Sequence, residues 1–412
     1  MKSYQRAGDV ADDELRTIRQ AVEDELPAYL EDLATLVNID CGSYTKAGVD
    51  QVGQWTRRFL ERLGADVEIR PDERLGETLV ATLHGQRGAP RALLIGHMDT
   101  VFDAGTARRR PFRVSDGRAY GPGVTDMKSG LLAGLYALMA LRAASDDEAT
   151  WLPFEQLVFI ANPDEEIGSP VSTPAIRAAA LDADAAFVLE CARANGDIVS
   201  SRKGTVDLRL TVHGRAAHAG VEPEKGRSAI LEAAHQVVAL HALNGRWDGV
   251  TCNVGVLHGG TRPNVVPEEA VLDVDLRSPR RTDLETAEAE VRAICAAPTI
   301  PGVTTTVEEM GRHWPMERSA ASGRLVEHAT SLAQRLGFEL HDAATGGASD
   351  ANTTAGLGVP SLDGLGPVGG LDHSPDEYLE IDSIVPRVTL LAALLLATAR
   401  DGVVATWRPH RA

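Results

Sequence analysis

Two histidines and a scatter of carboxylates carry the chemistry this sequence can be read for. His97 and Asp99 form a His-x-Asp triplet. A histidine can ligate a metal through one imidazole nitrogen, while a carboxylate two residues on accepts a hydrogen bond from the other nitrogen and fixes the tautomer. Asp126 stands in GPGVTDMKSG, between a Gly/Pro-rich turn and the start of a helix. A carboxylate there can offer one oxygen to each of two ions, and it can equally cap a helix. Asp164, Glu165 and Glu166 are adjacent in DEEIGS. Like charges this close resist burial unless a cation compensates them, although on a solvated turn they cost little. Glu190 closes the apolar run AAFVLE, where a carboxylate is hard to leave unpaired. His373 follows a glycine-rich stretch in LDHSPDE and by itself reads as an exposed loop histidine. Each of these residues has a plain alternative; the set does not. Two histidines and three carboxylates at strand or loop ends (His97, Asp126, Glu166, Glu190 and His373) match zinc's preference for nitrogen and oxygen donors. Two ions about 3.5–4 Å apart are the usual hydrolytic pair.

The elements that must position them follow from periodicity. Apolar spacing predicts helices over residues 11–38 and 48–64. Short apolar strands are expected at 66–70 and 78–83, in RALLIGHMD running into His97, at 156–161 ending in Asn162-Pro163-Asp164-Glu165-Glu166, and at 185–189 ending at Glu190. A helix begins near Met127. Such alternation predicts an α/β layer with a parallel or mixed sheet, which gathers ligands at strand C-terminal ends. From residue 204 the order becomes strand, helix, strand, strand, helix, strand, a ferredoxin-like βαββαβ unit. The α/β character then returns with a helix at 323–337, the Gly/Ser/Asp stretch TGGASDAN, a strand at 359–362 and a helix at 381–399. One domain of residues 1–203 and 316–412 is thus interrupted by an inserted domain of residues 204–315. Residues 364–370 read as a flexible loop close to His373.

A length of 412 residues is too great for one ordinary core and fits such a division. Lys and Arg number 41 against 59 Asp and Glu, a net charge of −18, which argues against a nucleic-acid partner. The one compact basic cluster, Arg108-Arg109-Arg110, reads as a loop. The four cysteines form no CxxC pair, so a cysteine-bound zinc is not expected and a reducing, cytoplasmic setting is. The polar N-terminus lacks the apolar core of a signal peptide. No run of eighteen apolar residues exists, so no membrane span is expected; residues 390–397 read as a buried helix.

In combination, GHMDT, GPGVTDMKSG, DEEIGS and LDHSPDE make the chain resemble the M20 family of zinc hydrolases, glutamate carboxypeptidases above all. Aminoacylases, acetylornithine deacetylases and succinyl-diaminopimelate desuccinylases are its cousins. The resemblance runs from about His97 into the last helix. It implies a mixed-sheet α/β catalytic domain of the phosphorylase/hydrolase-like fold with an inserted ferredoxin-like dimerisation domain. It also implies two zinc ions per chain, with cobalt or manganese as substitutes. His97 and Glu190 would hold one ion, Glu166 and His373 the other, and Asp126 would bridge. Asp99 would orient His97, Glu165 would be the general base, and the Asp126–Met127 bond would be cis. In RAAHAG, His218 matches a histidine that reaches the partner subunit's site in a homodimer. Asn264 in RPNVVP and Arg277 in DVDLRS match substrate-binding residues. For Arg312 in EMGRHWP, a carboxylate-binding role and a surface salt bridge stand equal. A glutamate at 190 is unlike the dipeptidase branches, which tend to carry aspartate there.

The activity implied is hydrolysis of an amide bond in a small molecule with a free carboxylate, releasing a C-terminal amino acid. An N-acyl-amino-acid deacylase shares the machinery and differs in which side of the amide is recognised. A non-catalytic binding protein that kept the fold would be expected to have lost ligands, and here all are present. Neither nucleic acid nor membrane is an expected partner. Cys191 has no functional reading and is expected to be a packing residue.

Overall fold

Residues 10–145, 147 and 150–407 are described by a computed structural model. Residues 1–9, the first part of the polar N-terminus on which the expectation of no signal peptide rests, lie outside them. The chain divides into two units: residues 1–200, 318–344 and 349–412 form the first, and residues 201–317 with 345–348 form the second.

The first unit opens with helices α1 (Asp12–Val37) and α2 (Lys46–Arg62). Asp12, Asp13 and Glu14 fill the first turn of α1, where negative charge complements the helix dipole. Strands β1 (Asp66–Arg70), β2 (Thr78–His84) and β3 (Arg91–His97) follow. Then come α3 (Ser129–Ala143), β4 (Gln156–Asn162), α4 (Thr173–Asp182) and β5 (Ala185–Val188).

In the second unit β6 (Gly204–His213), α5 (Ala229–His241), β7 (Thr251–Gly259), β8 (Glu269–Ser278), α6 (Arg281–Ala296) and β9 (Thr304–His313) realise the βαββαβ order. The chain returns to the first unit with α7 (Ala320–Leu336), α8 (Asp350–Gly356), β10 (Ser361–Leu362) and α9 (Ile384–Arg400). The TGGASDAN stretch thus contains a helix that its composition hides: Ser349 caps α8, its side chain accepting from Ala351 N.

The first unit's sheet has the order β1-β2-β4-β3-β5-β10. Its outer strands β1 and β2 pair antiparallel, and β2 meets β4 antiparallel. From β4 through β3 and β5 to β10 every pairing is parallel. The central strands are buried on both faces, as parallel strands covered by helices must be. By length and composition alone Ile381–Arg400 could cross a membrane, but 67% of it is buried, and α9 packs against α1, α3 and α7 in the core. The second sheet, β7-β8-β6-β9, is antiparallel throughout. Val206, Leu208, Leu210 and Val212 of β6 are buried on one face, with Ala229 and Ala233 of α5 and Leu284, Ala287 and Val291 of α6 in the same core. Strand β9 runs through a bulge between Glu309 and Gly311, so Arg312 lies on a strand.

Candidate metal centre

Parallel pairing sets the level of the first unit's polar residues. His97, the last residue of β3, stands in register with Asn162, the last of β4. On the other side of β3, Leu189 N donates to Ile95 O at 2.9 Å, so Glu190 emerges beside it. Asp126 arrives from the helix side. A Cβ on Gly130 would meet Leu189 O at 1.8 Å, so only glycine lets the start of α3 come this close to the chain between β5 and Glu190. The Asp126–Met127 peptide bond is cis, as the resemblance implies.

Together these elements form one cluster. His97 Nε2 lies 3.1 Å from Asp126 Oδ1 and 3.7 Å from Glu190 Oε1. His373 Nε2 lies 3.0 Å from Asp126 Oδ2 and 3.2 Å from Glu166 Oε2. The two oxygens of Asp126 therefore face two different histidines. Asp126 caps no helix, since no side-chain cap bond forms at the start of α3 or in the turn before it. His97 Nδ1 lies 3.0 Å from the backbone oxygen of Asp99 and 3.3 Å from its carboxylate. That carboxylate accepts from Glu165 N and Glu166 N, each at 3.2 Å, and from Ser43 Oγ at 2.7 Å. Asp99 thus ties the histidine's strand to the acidic turn.

Charge in the cluster is unbalanced. Burial pushes Glu165 well above the usual carboxylate range, with Glu190 adding to the effect. Burial likewise raises Glu166. For Asp126, burial works against ionisation, but His373 and His97 more than offset it and hold the carboxyl low. Burial opposes charge on His97, yet Asp126, Asp99 and Glu190 raise it well above its ordinary value. Hydrogen bonds to Asp126 and then Glu166 push His373 up to about 11. Two like charges 4 Å apart at an effective dielectric of 20 repel by about 4 kcal/mol. Fully ionised, the carboxylates Asp126, Glu165, Glu166 and Glu190 would balance two divalent cations, whereas two imidazolium groups would leave half of their charge uncompensated. Two overlapping groups of donors lie within metal-sharing distance: His97 with Asp126 and Glu166, and His97 with Glu165 and Glu190. Glu166 Oε1 is buried and, among the described residues, has no hydrogen-bond partner. An orphaned carboxylate oxygen facing this donor set fits a metal ion.

Residues 93–397 match the family described as Peptidase family M20/M25/M40. The chain belongs to this family. It is 30% identical over 383 residues to carboxypeptidase G2 of Pseudomonas sp. (strain RS-16), covering 92% of this chain and 91% of that one. It is 28% identical over 360 residues to the succinyl-diaminopimelate desuccinylase of Dechloromonas aromatica (strain RCB), covering 82% of this chain and 90% of the relative. Its fold is like that of aminopeptidase PepT from Bacillus cereus ATCC 10987, with a TM-score of 0.73 at 23% identity, over 90% of this chain and 98% of that one. The chain is accordingly a hydrolase of a metal-dependent family that acts on peptide and amide bonds of small substrates.

His218, Asn264, Arg277 and Arg312 all lie in the second unit. The loops of the first two are joined: His218 bridges Val265, and Ala219 N donates to Asn264 O at 3.1 Å. Arg277 pairs with Asp275 at 2.9 Å and donates to Gly346 O at 3.0 Å. Arg312 is engaged more fully, by Glu288 at 2.6 Å, Glu309 at 2.7 Å and the face of Trp314. This geometry supports the salt-bridge alternative for Arg312.

Several contributors were not foreseen. Asn162 Nδ2 donates to Asp350 Oδ2 at 2.8 Å and Ser169 Oγ to Asp350 Oδ1 at 2.6 Å, a buried brace behind the acidic turn. Burial pushes Asp350 up to about 6. Glu377 is buried and accepts three backbone N–H groups of the Asp126 turn, and burial pushes it up to about 7. The 364–370 stretch is not the flexible loop expected. It is almost wholly buried, and Arg387 of α9 donates to the carbonyls of Gly364 and Gly366. Burial holds that guanidinium down at about 10. Cys191 is buried, and burial raises its thiol, which suits packing and not nucleophilic attack.

Proposed function

We propose that this protein is a dinuclear zinc hydrolase of the glutamate carboxypeptidase type, cleaving the amide bond beside a free carboxylate and releasing a C-terminal amino acid. The observation that carries it is Asp126, whose two oxygens face His97 and His373, with Glu190 beside one histidine and Glu166 beside the other. His97 and Glu190 would hold one ion, Glu166 and His373 the second, and Asp126 both. When bound, the ions would polarise the scissile carbonyl and acidify a water. Glu165, raised by burial, takes that water's proton as its oxygen adds to the amide carbon, then delivers the proton to the leaving amine. Asp99 holds His97 in one tautomer. Asn264 and Arg277 would bind the substrate, Arg277 pairing with its carboxylate; Arg312, already held by two carboxylates, is left out.

The similarity to carboxypeptidase G2 supports the carboxypeptidase reading. The similarity to a desuccinylase supports the second reading, an N-acyl-amino-acid deacylase. We further propose a homodimer through the second unit, with His218 reaching the partner subunit's site and steadying the oxyanion. Exposed Leu231 and Val238 on α5 and Val256 and Leu257 on the edge strand β7 support such an interface. Free, buried cysteines suit the reducing cytoplasm proposed as its location.

The test is a panel of dipeptides and N-acyl amino acids, each offered as acid and as C-terminal amide. Amidation is expected to abolish cleavage, and Arg277→Ala to raise KM about tenfold or more on the acids. Equal rates on acid and amide would remove the carboxylate clamp. Preference for simple acyl groups over peptidyl ones would decide for the deacylase.

A further inference from the structure

The turn that carries Asp126 is held by two buried side chains, Lys128 and Glu377. Lys128 Nζ donates to the carbonyls of Ile39 and Pro122, each at 3.1 Å. Glu377 takes the N–H groups. Its Oε2 accepts from Gly123 N at 2.9 Å, and its Oε1 accepts from Thr125 N at 2.9 Å and Asp126 N at 3.1 Å. Only 1% of Glu377 is exposed, so water offers no substitute acceptor. Gly123 has a φ of 71°, and a Cβ there would meet Thr100 Cγ2 at 2.5 Å, so this turn has little room to rearrange.

We infer that Glu377 is a positioning residue for the shared carboxylate: by holding the backbone N–H groups of Thr125 and Asp126 it aims the two Asp126 oxygens at separate partners. This rests on Asp126 being the ligand common to both ions. The backbone of the turn gives the reason a carboxylate is needed. Three N–H groups converge on two oxygens, and an ionised carboxylate is acceptor-only at both. A glutamine in its place keeps the volume but turns an NH2 toward at least one N–H group, leaving donor against donor in a buried site. The turn must then shift to relieve that contact, and Asp126 moves with it. An error of about 1 Å in a supporting shell is enough to spoil a site. The ligand with two partners is the one most exposed to such a shift, because a rotation that keeps one oxygen in place displaces the other.

The experiment compares metal-free wild type, Glu377→Gln and Glu14→Gln by calorimetric titration with zinc and by the visible spectrum of the cobalt-loaded protein. Glu14 makes a distant ion pair with Arg400, so its variant loses a bond without touching the turn. Wild type and Glu14→Gln are expected to take up two ions with matching spectra. Glu377→Gln is expected to bind about 10–100-fold more weakly, with an altered cobalt spectrum and a lower kcat at nearly unchanged KM. Glu377→Asp, which keeps the charge on a shorter arm, is expected to recover part of the affinity. Should Glu377→Gln fail to fold, the aspartate variant alone decides, with weaker binding expected at a melting temperature near that of Glu14→Gln. Unchanged zinc affinity and cobalt spectrum in folded Glu377 variants would overturn the inference. A wild type that binds fewer than two ions would instead overturn the dinuclear reading beneath it.

Discussion

The two sheets of this protein treat their polar residues in opposite ways. In the first unit three parallel strands end at one level, so residues distant in sequence, such as His97 and Asn162, come out side by side. Four carboxylates and two histidines then share a cluster in which charge is poorly balanced and one carboxylate oxygen has no protein partner among the described residues. In the second unit the antiparallel sheet points neighbouring strand ends in opposite directions, and its charges meet within a strand, across strands or against a helix. Arg209 faces Asp273 at 2.8 Å, Arg277 pairs with Asp275, and Arg312 is shared by Glu288 and Glu309. Each of these arginines already has a carboxylate partner within its own unit. Parallel topology concentrates unmet charge, and unmet charge is what a metal ion answers.

Glu165→Gln should break this contrast most severely. It removes a proton acceptor while leaving the donors His97, Asp126, Glu166, Glu190 and His373 in place, so turnover should fall by about 10²–10⁴-fold with metal content intact. Near-normal turnover would put the general base elsewhere. The same variant sharpens the role of the second unit. Mixed with His218→Ala, it should regain activity on subunit exchange, because one site of each heterodimer combines an intact Glu165 with an intact His218. Recovery to about half the wild-type rate per heterodimer is expected if the sites are independent. No recovery after proven exchange would deny His218 a role across the interface. The smallest effect should come from Arg312→Ala. Breaking a partly buried ion-pair network at the surface costs about 1 kcal/mol of stability, and KM and kcat should hold. A large rise in KM would return Arg312 to the substrate site.

What could be read from the sequence follows the same division. His97, Glu166 and Glu190 were legible because a short apolar strand announces its own end, and parallel topology makes strand ends converge. The βαββαβ unit was legible because alternation and helical spacing are local signals. The supports were not. Glu377 meets the Asp126 turn across 251 residues, and Asp350 meets Asn162 across 188, distances over which periodicity carries no information. The 364–370 stretch misled for a related reason. Glycine content speaks for freedom, whereas the stretch is buried and tied down by distant partners, among them Arg387 of α9, Glu190 and Ser383. Residues 345–348 belong with the second unit although they lie well past residue 317 in sequence, which no local pattern could disclose.

A site for two ions sharing Asp126 is tested most directly by calorimetric titration of zinc into metal-free protein at several pH values, backed by elemental analysis. In the metal-free protein the carboxylates raise both His97 and His373, the latter to about 11, which favours the protonated form of both imidazoles. Zinc requires them neutral; binding must release protons, and apparent affinity must rise with pH. Two ions per chain, with proton release and tighter binding between about pH 6 and pH 8, is the expected result. One ion or none in a fully active preparation, or an affinity that falls as pH rises through that range, would contradict it.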